Sequence, residues 1–412
     1  MFRLLIFIVI IGLLEYYTFQ SVKTVIKGNI WYVLYWVLSV GILVNFIVQI
    51  LILDRNNGVT FRFSLALILL ILFCVPKLVV GITLLGEDIY RGLVYVYDNV
   101  IKSSTNNGSS SFQSRRKFVS QIALGLAAIP FASILYGVIK GKYNFKVLKY
   151  TLHFEDLPDA FDGYRLTQIS DVHSGSFDNI NKVEYAIDLI NEQQSDIIVF
   201  TGDMVNNKAE EMKPYMDVFK KLKAKDGLYS VLGNHDYGDY VSWDSKEAKK
   251  QNLEDLKTIQ KEIGFDLLLN ENRFIEKEGE RIAIVGVENW GKGGFKKAGD
   301  LKKASSLIDK DDFKILLSHD PSHWDEEVVN DKYHYHLTLS GHTHGMQFGI
   351  EIPGWFKWSP VKWRYKQWAG IYETLGQYIN VNRGFGYLAF PGRVGIWPEI
   401  TVIELKKGLK EA

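Results

Sequence analysis

Five short polar clusters hold the side chains of this sequence that could do chemistry: Asp171-Val172-His173, Gly202-Asp203, Gly233-Asn234-His235-Asp236, Ser318-His319-Asp320 and Gly341-His342-Thr343-His344-Gly345. Imidazole nitrogen combined with carboxylate or amide oxygen suits Mn, Fe, Zn or Ni better than Mg or Ca. The set therefore fits two adjacent divalent or trivalent ions. Cys74 is the only cysteine and sits in an apolar run, so an intrachain disulfide and a cysteine-based metal site are both excluded. Taken singly the pieces say little, because a lone histidine is more often a hydrogen-bonded core residue than a ligand. Their order and repetition carry the argument. Gly202, Gly233, Gly341 and Gly345 flank the candidate ligands, where a missing side chain permits tight turns and close approach of backbone to metal.

Each cluster directly follows a short β-rich run, at 165–169, 197–200, 229–232, 314–317 and 336–339. A further strand is expected at 282–287, with amphipathic helices at 183–192, 212–221 and 246–263. Short strands alternating with such helices predict an α/β layered domain. In open α/β sheets ligands gather beyond the carboxyl ends of the strands. Five clusters at five strand ends can thus converge on one site.

In chain order the blocks read DVH, GD, GNHD, SH and GHTH, from Asp171 to His344. This series resembles the calcineurin-like metallophosphoesterase superfamily over residues 150–412. Within it the sequence is most similar to the membrane-anchored bacterial YkuE-like group, through Asn382-Arg383-Gly384-Phe385-Gly386, Pro391-Gly392-Arg393 and Pro398-Glu399-Ile400. The resemblance implies the metallophosphoesterase fold, two mixed β-sheets sandwiched by helices in four layers. It implies Asp171, His173 and His344 as ligands of one metal, Asn234, His319 and His342 as ligands of the other, and Asp203 as the bridge. Manganese or iron is expected, and zinc or nickel would suit the same ligands. His235, next to Asn234 in the catalytic block, is expected to contact a phosphate oxygen or to protonate the leaving group. Asp236 and Asp320 are expected to orient imidazoles, with loop capping as the alternative. Met346 stands where the family more often has a second glycine, a change expected to alter pocket shape and not metal binding. Two metals about 3.5–4 Å apart would hold a bridging hydroxide and stabilise in-line attack on phosphorus.

Ahead of this domain the apolar runs 2–22, 30–53 and 63–85 each approach the length needed to span hydrocarbon as a helix. The expected organisation is a membrane region of three helices (1–101), a polar linker (102–118), a fourth membrane helix (119–139) and the catalytic domain (150–412). Ser114-Arg115-Arg116-Lys117-Phe118 resembles a twin-arginine export signal placed internally, and serves equally as a positive-inside flank. Either way Arg115, Arg116 and Lys117 belong in the cytoplasm, and the catalytic domain on the extracytoplasmic face of a bacterial inner membrane. Working backwards puts the N-terminus outside and Lys23 and Lys27 inside. Glu15 and Lys77 would lie about 10 Å from the cytoplasmic ends of their helices. Separate snorkelling to the interface is the expected behaviour, and pairing is the alternative.

With 48 basic and 47 acidic side chains the formal charge is only +1, which argues against a nucleic-acid partner. Residues 348–368 interleave Trp355, Trp358, Trp363 and Trp368 with Lys357, Lys362, Arg364 and Lys366. Tryptophan favours the headgroup zone and basic groups favour anionic headgroups. Trp355, Trp358 and Trp363 are therefore candidates for membrane contact, against the alternative of a core or oligomer contact. The tether points to a lipid-linked or envelope-derived phosphodiester or pyrophosphate as substrate. A broad phosphomonoesterase or nucleotidase is the alternative. A non-catalytic membrane sensor or scaffold fits less well, because all seven candidate ligands and His235 are present.

Overall fold

The structure is a computed structural model and describes residues 2–54, 59–97, 109–352 and 354–409. The chain forms two compact units, one of helices up to Tyr136 and the other from Gly137 onward.

The first unit contains α1 (Phe2–Val25), α2 (Asn29–Leu51), α3 (Phe61–Val96) and most of α4 (Ser109–Ile139). These four helices are long and apolar enough to cross a membrane. Two boundaries differ from expectation. Helix α3 continues past residue 85 to Val96, and α4 begins at Ser109, inside the stretch expected as linker. Arg, Lys, Gln and Ser cost little in a helix already nucleated by the apolar run that follows, so α4 extends backwards through them. Residues 102–108 of the expected linker lie outside the described residues.

Glu15 and Lys77 do not snorkel apart. Lys77 Nζ lies 2.5 Å from Glu15 Oε1 and 2.9 Å from Ser39 Oγ, while the Tyr35 hydroxyl donates to Glu15 Oε2 at 2.8 Å. Both charged groups are buried. Among apolar helices a charge has few partners, so a hydrogen-bonded pair shared by α1, α2 and α3 is favoured over two separately desolvated ions. Removing one partner strands the other. Glu15→Gln is therefore expected to cost a few kcal/mol in the wild type but little in a Lys77→Met background. Thermal unfolding of the four species in one detergent measures the coupling, and additive losses would reject it.

A second polar group lies on the C-terminal part of α3. Arg91 reaches Glu87 at 3.1 Å and also Asp88, Arg116 of α4 reaches Asp88 at 2.9 Å, and Tyr17 of α1 donates to Asp88. Arg115 sits 4.6 Å from the centroid of the Tyr90 ring. Both arginines of the export-like motif thus hold α4 to α3.

The second unit is built on two six-stranded sheets. Its strands are β1 (Lys146–Phe154), β2 (Arg165–Ile169), β3 (Ile197–Phe200), β4 (Leu228–Ser230), β5 (Phe265–Leu267), β6 (Glu271–Lys277), β7 (Glu280–Gly286), β8 (Phe313–Leu317), β9 (Leu337–Ser340), β10 (Ile350–Ile352), β11 (Phe356–Trp358), β12 (Gly370–Thr374), β13 (Gln377–Val381) and β14 (Glu399–Lys407). One sheet runs β1-β14-β2-β3-β4-β5 and the other β12-β13-β9-β8-β7-β6, while β10 and β11 form a separate hairpin. Strands β2, β3 and β4 are parallel neighbours, as are β7, β8 and β9.

The period-two alternation of strand side chains sets the layers. Ile197 and Val199 face a core shared with Ile282, Ile284, Ile315, Leu317, Leu337 and Leu339 of the opposite sheet. Ile198 and Phe200 face outward onto α5 (Ile180–Asn191), α6 (Met216–Phe219) and α7 (Lys246–Ile263). Ala283, Val285 and Leu316 face the other way, onto α8 (Leu301–Ala304), Trp324 and Val328. Sheet packs on sheet with helices outside each, the mixed α/β arrangement expected. The helix expected at 212–221 is instead a 3-10 segment, Ala209–Tyr215, followed by one turn of α-helix. Pro214 lacks the N–H that a regular α-helix would use there.

Candidate metal centre

The carboxyl ends of β2, β3 and β4 in one sheet and of β8 and β9 in the other each run into one of the five polar clusters. The described side chains include two groups whose ligand atoms lie within 4.8 Å of one another: Asp171, His173 and His344, and Asp203, His319 and His342. Asp203 lies between the groups. Its Oδ2 is 3.1 Å from His319 Nε2 and 3.6 Å from His173 Nε2, while its Oδ1 accepts the backbone N–H of His235 at 2.8 Å. His173 and His344 face each other through Nε2 at 3.0 Å.

Backbone geometry shows what the sheet ends must do to achieve this. Asp171, His173, Asp203, His342 and His344 all have φ between 47° and 70°, a region that costs a non-glycine residue roughly 1–3 kcal/mol. Strand continuation would send alternate side chains to opposite faces, and the left-handed steps turn them to one place. The Asp171 carboxylate accepts the His342 N–H at 3.0 Å, and the tail returns beside it, with Phe385 N–H donating to the Ser170 carbonyl at 2.7 Å and Gly386 N–H to the Asp171 carbonyl at 2.9 Å. Gly341 is required here, since a Cβ would fall on the Ser170 hydroxyl and the Asp171 carboxylate.

Asn234 is not in either group of charged ligands, yet its amide is prepared in the same way. The Tyr240 hydroxyl accepts its Nδ2 at 2.8 Å, and its Oδ1 is buried with no hydrogen-bond partner among the described residues. A buried amide oxygen left unpaired costs roughly 1–3 kcal/mol, and a cation would satisfy it. His173 Nδ1 is buried and without a hydrogen-bond partner among the described residues as well. The donor set therefore fits metal ions.

Electrostatics agree. Burial disfavours charge on His319, but the Asp203 carboxylate overrides it and pushes the imidazole up to about 10. Burial likewise opposes ionisation of Asp203 and Asp171, yet neighbouring imidazoles hold both below the usual carboxylate range. Burial pushes His173 and His342 down, toward the neutral form that a ligand needs. The Asp171 and Asp203 carboxylates thus stay ionised, His173 and His342 are held neutral, and the positive charge that Asp203 draws onto His319 marks a place where a cation is favoured.

Several side chains hold the ligands from behind. His319 Nδ1 lies 2.7 Å from the Thr201 carbonyl, leaving Nε2 toward Asp203. His342 Nε2 lies 2.8 Å from the Tyr365 hydroxyl and 3.4 Å from Asp320 Oδ2. Asp236 lies against backbone instead. Its two oxygens accept the backbone N–H groups of Asp203, Met204, Val205 and Gly233, between 2.8 and 3.4 Å, which makes it the clasp between two ligand loops. Burial and the adjacent Asp203 charge push Asp236 up to about 7. His235 is half-buried, with Nδ1 2.7 Å from the Asn206 carbonyl. Its ring packs at 4.4 Å from that of Tyr240.

Sequence reasoning missed Tyr240, Tyr365, Arg383 and Arg393 as parts of this structure. Arg393 is fully buried and donates to the carbonyls of Arg383, Gly384 and Gly386, with Nη2 3.3 Å from His344 Nδ1. Arg383 pairs with Glu399 and Glu351, each at 2.5 Å. Only the tail blocks, quoted for their resemblance, pointed toward these two arginines. Of the tryptophans, Trp355 and Trp363 are exposed, Trp358 is half-buried edge-on to Trp363, and Trp368 is buried. Met346 is exposed, in a left-handed conformation that glycine would adopt freely.

A double sheet with two groups of histidine and aspartate at its strand ends suits a metallophosphoesterase, and the chain belongs to the calcineurin-like phosphoesterases. Residues 164–346 match the family model described as "Calcineurin-like phosphoesterase", and residues 2–142 match "Probable Calcineurin-like phosphoesterase, transmembrane domain". The latter match, together with the four apolar helices, makes it a membrane protein. The chain is 30% identical over 299 residues to the "Uncharacterized metallophosphoesterase YkuE" of Bacillus subtilis (strain 168), covering 71% of this chain and 98% of that protein. To YkoQ of the same organism it is 27% identical over 285 residues, covering 68% and 97%. To the "Transmembrane protein with metallophosphoesterase domain" of Danio rerio it is 26% identical over 283 residues, covering 66% of this chain and 60% of that protein.

Proposed function

We propose that this protein is a binuclear metal-dependent phosphoric ester hydrolase, held in a bacterial inner membrane with its catalytic unit on the extracytoplasmic face. The observation that carries the reading is the position of Asp203, whose one carboxylate oxygen lies within 3.6 Å of a histidine from each group. Asp171, His173 and His344 would hold one ion, Asn234, His319 and His342 the other, and Asp203 both. When bound, such a pair, manganese or iron in this reading, supplies a nucleophile at neutral pH and charge to stabilise the phosphoryl oxygens.

The chain's own residues do the rest. His235, fixed through Nδ1 on the Asn206 carbonyl, carries a proton on Nε2 for the leaving oxygen or hydrogen-bonds a phosphate oxygen. Asn234 brings an oxygen without adding charge, which leaves the ions more strongly acidic than another carboxylate would. Asp236 and Asp320 keep the loops and the His342 ring in place. The tether favours a lipid-linked or envelope-derived phosphodiester or pyrophosphate.

The full chain in detergent is expected to hydrolyse bis(p-nitrophenyl) phosphate when supplied with Mn or Fe, to lose activity on chelation and to regain it on adding metal back. A panel of lipid phosphodiesters, lipid pyrophosphates, nucleotides and simple phosphomonoesters then separates the envelope reading from a broad phosphomonoesterase. Absence of hydrolysis with every metal and every substrate would overturn the enzyme reading.

A further inference from the structure

Half of the exposed large hydrophobic side chains among the described residues after Ile139 fall in one segment of the catalytic unit: Met346, Ile350, Ile352, Trp355, Phe356 and Trp363. Trp355 is 81% exposed and Trp363 77% exposed. Soluble surfaces rarely concentrate apolar groups in this way without a partner. The same segment carries exposed Lys362, Arg364 and Lys366. Its one acid, Glu351, is taken by Arg383 at 2.5 Å, so the surface is cationic and aromatic together.

This surface is fastened to the metal cluster. Ser359 Oγ donates to the Gly345 carbonyl at 2.7 Å, Thr343 Oγ1 donates to the Trp368 carbonyl at 2.7 Å, and the Tyr365 hydroxyl lies 2.8 Å from His342 Nε2. Each bond joins the segment to the His342–Gln347 turn. Whatever settles on the hairpin is therefore held at a fixed distance from the candidate ligands.

We propose that the β10–β11 hairpin and the turn after it, through Trp355, Phe356, Trp363, Lys362, Arg364 and Lys366, dock on an anionic phospholipid bilayer and present a lipid phosphate ester to the metal cluster. The proposal rests on the phosphoesterase reading and names its substrate class. Tryptophan and phenylalanine partition into the headgroup boundary, and each basic side chain near an anionic surface adds about 1 kcal/mol. Chain length permits it. Only residues 140–145 separate the end of α4 from β1, and six residues reach about 20 Å at most.

The test uses the full chain in lipid nanodiscs, in a Cys74→Ser background with Ile352→Cys carrying an environment-sensitive fluorophore. In phosphatidylglycerol discs the probe is expected to shift to the blue and to be quenched by lipids spin-labelled near the headgroup. Trp355→Ser with Trp363→Ser should abolish the quenching and lower turnover of a disc-embedded lipid phosphodiester by about tenfold or more, leaving bis(p-nitrophenyl) phosphate hydrolysis unchanged. A probe that stays water-like in every disc, with hydrolysis of the soluble ester intact, would overturn the docking proposal alone. A blue shift that appears without lipid and grows with protein concentration would assign the face to a second copy of the chain and overturn it too. Failure to hydrolyse either ester, with quenching present, would instead overturn the phosphoesterase reading while leaving the docking surface standing.

Discussion

Asp203→Asn is expected to lower phosphodiester hydrolysis by at least about 10³, roughly 4 kcal/mol of transition-state stabilisation, and to release bound metal, with the fold kept. The substitution changes charge and hardly changes shape. Asparagine tolerates the left-handed backbone that Asp203 adopts at φ 63°, and its amide oxygen can still accept the His235 N–H that Oδ1 accepts now. What it cannot do is place a negative oxygen between His319 and His173. Metal content by mass spectrometry, activity and a thermal melt on the same sample separate loss of the cage from loss of the fold. An active variant with its full metal content would show that Asp203 is not the bridge.

His235→Ala is expected to act differently, lowering kcat by about 10² to 10⁴ while metal content stays at the wild-type level. His235 belongs to neither group of candidate ligands, and its ring is bonded to the Asn206 carbonyl and packed on Tyr240 and edge-on to His173. If Nε2 supplies a proton to the leaving oxygen, the loss will be smaller for a nitrophenolate leaving group, which needs little help, than for an alkoxide. Equal losses for both would assign His235 to a phosphate oxygen. Undiminished turnover with either ester would remove it from the mechanism.

What could be read from the sequence was local. Each ligand cluster follows a strand within a few residues, and 165–169 and 197–200 were legible to the residue because a buried parallel strand is a short apolar run. The Val231-Leu232 pair reads equally as strand, yet β4 stops at Ser230 because the chain must turn at Gly233, where a Cβ would strike the Asp203 carboxylate. Tyr365, and the role of Arg393 beyond its place in a resembling tail block, were illegible for a different cause. Each is apolar or basic text in a tail, and its role exists only through contacts with His342 and His344 made after folding. Asp236 stayed open between orienting an imidazole and capping loops on the same ground, because nothing in Gly233-Asn234-His235-Asp236 tells whether its carboxylate meets an imidazole or four backbone N–H groups. The Glu15–Lys77 pair needed three helices at one depth, which apolar runs alone do not specify.

The count of metal ions per chain tests the cage most directly. Mass-spectrometric analysis of the purified full-length protein after loading with Mn or Fe and removal of free ion is expected to give two per wild-type chain and fewer than one in Asp203→Asn. A wild-type chain that retains one ion or none, or an Asp203→Asn chain that keeps both, would contradict it.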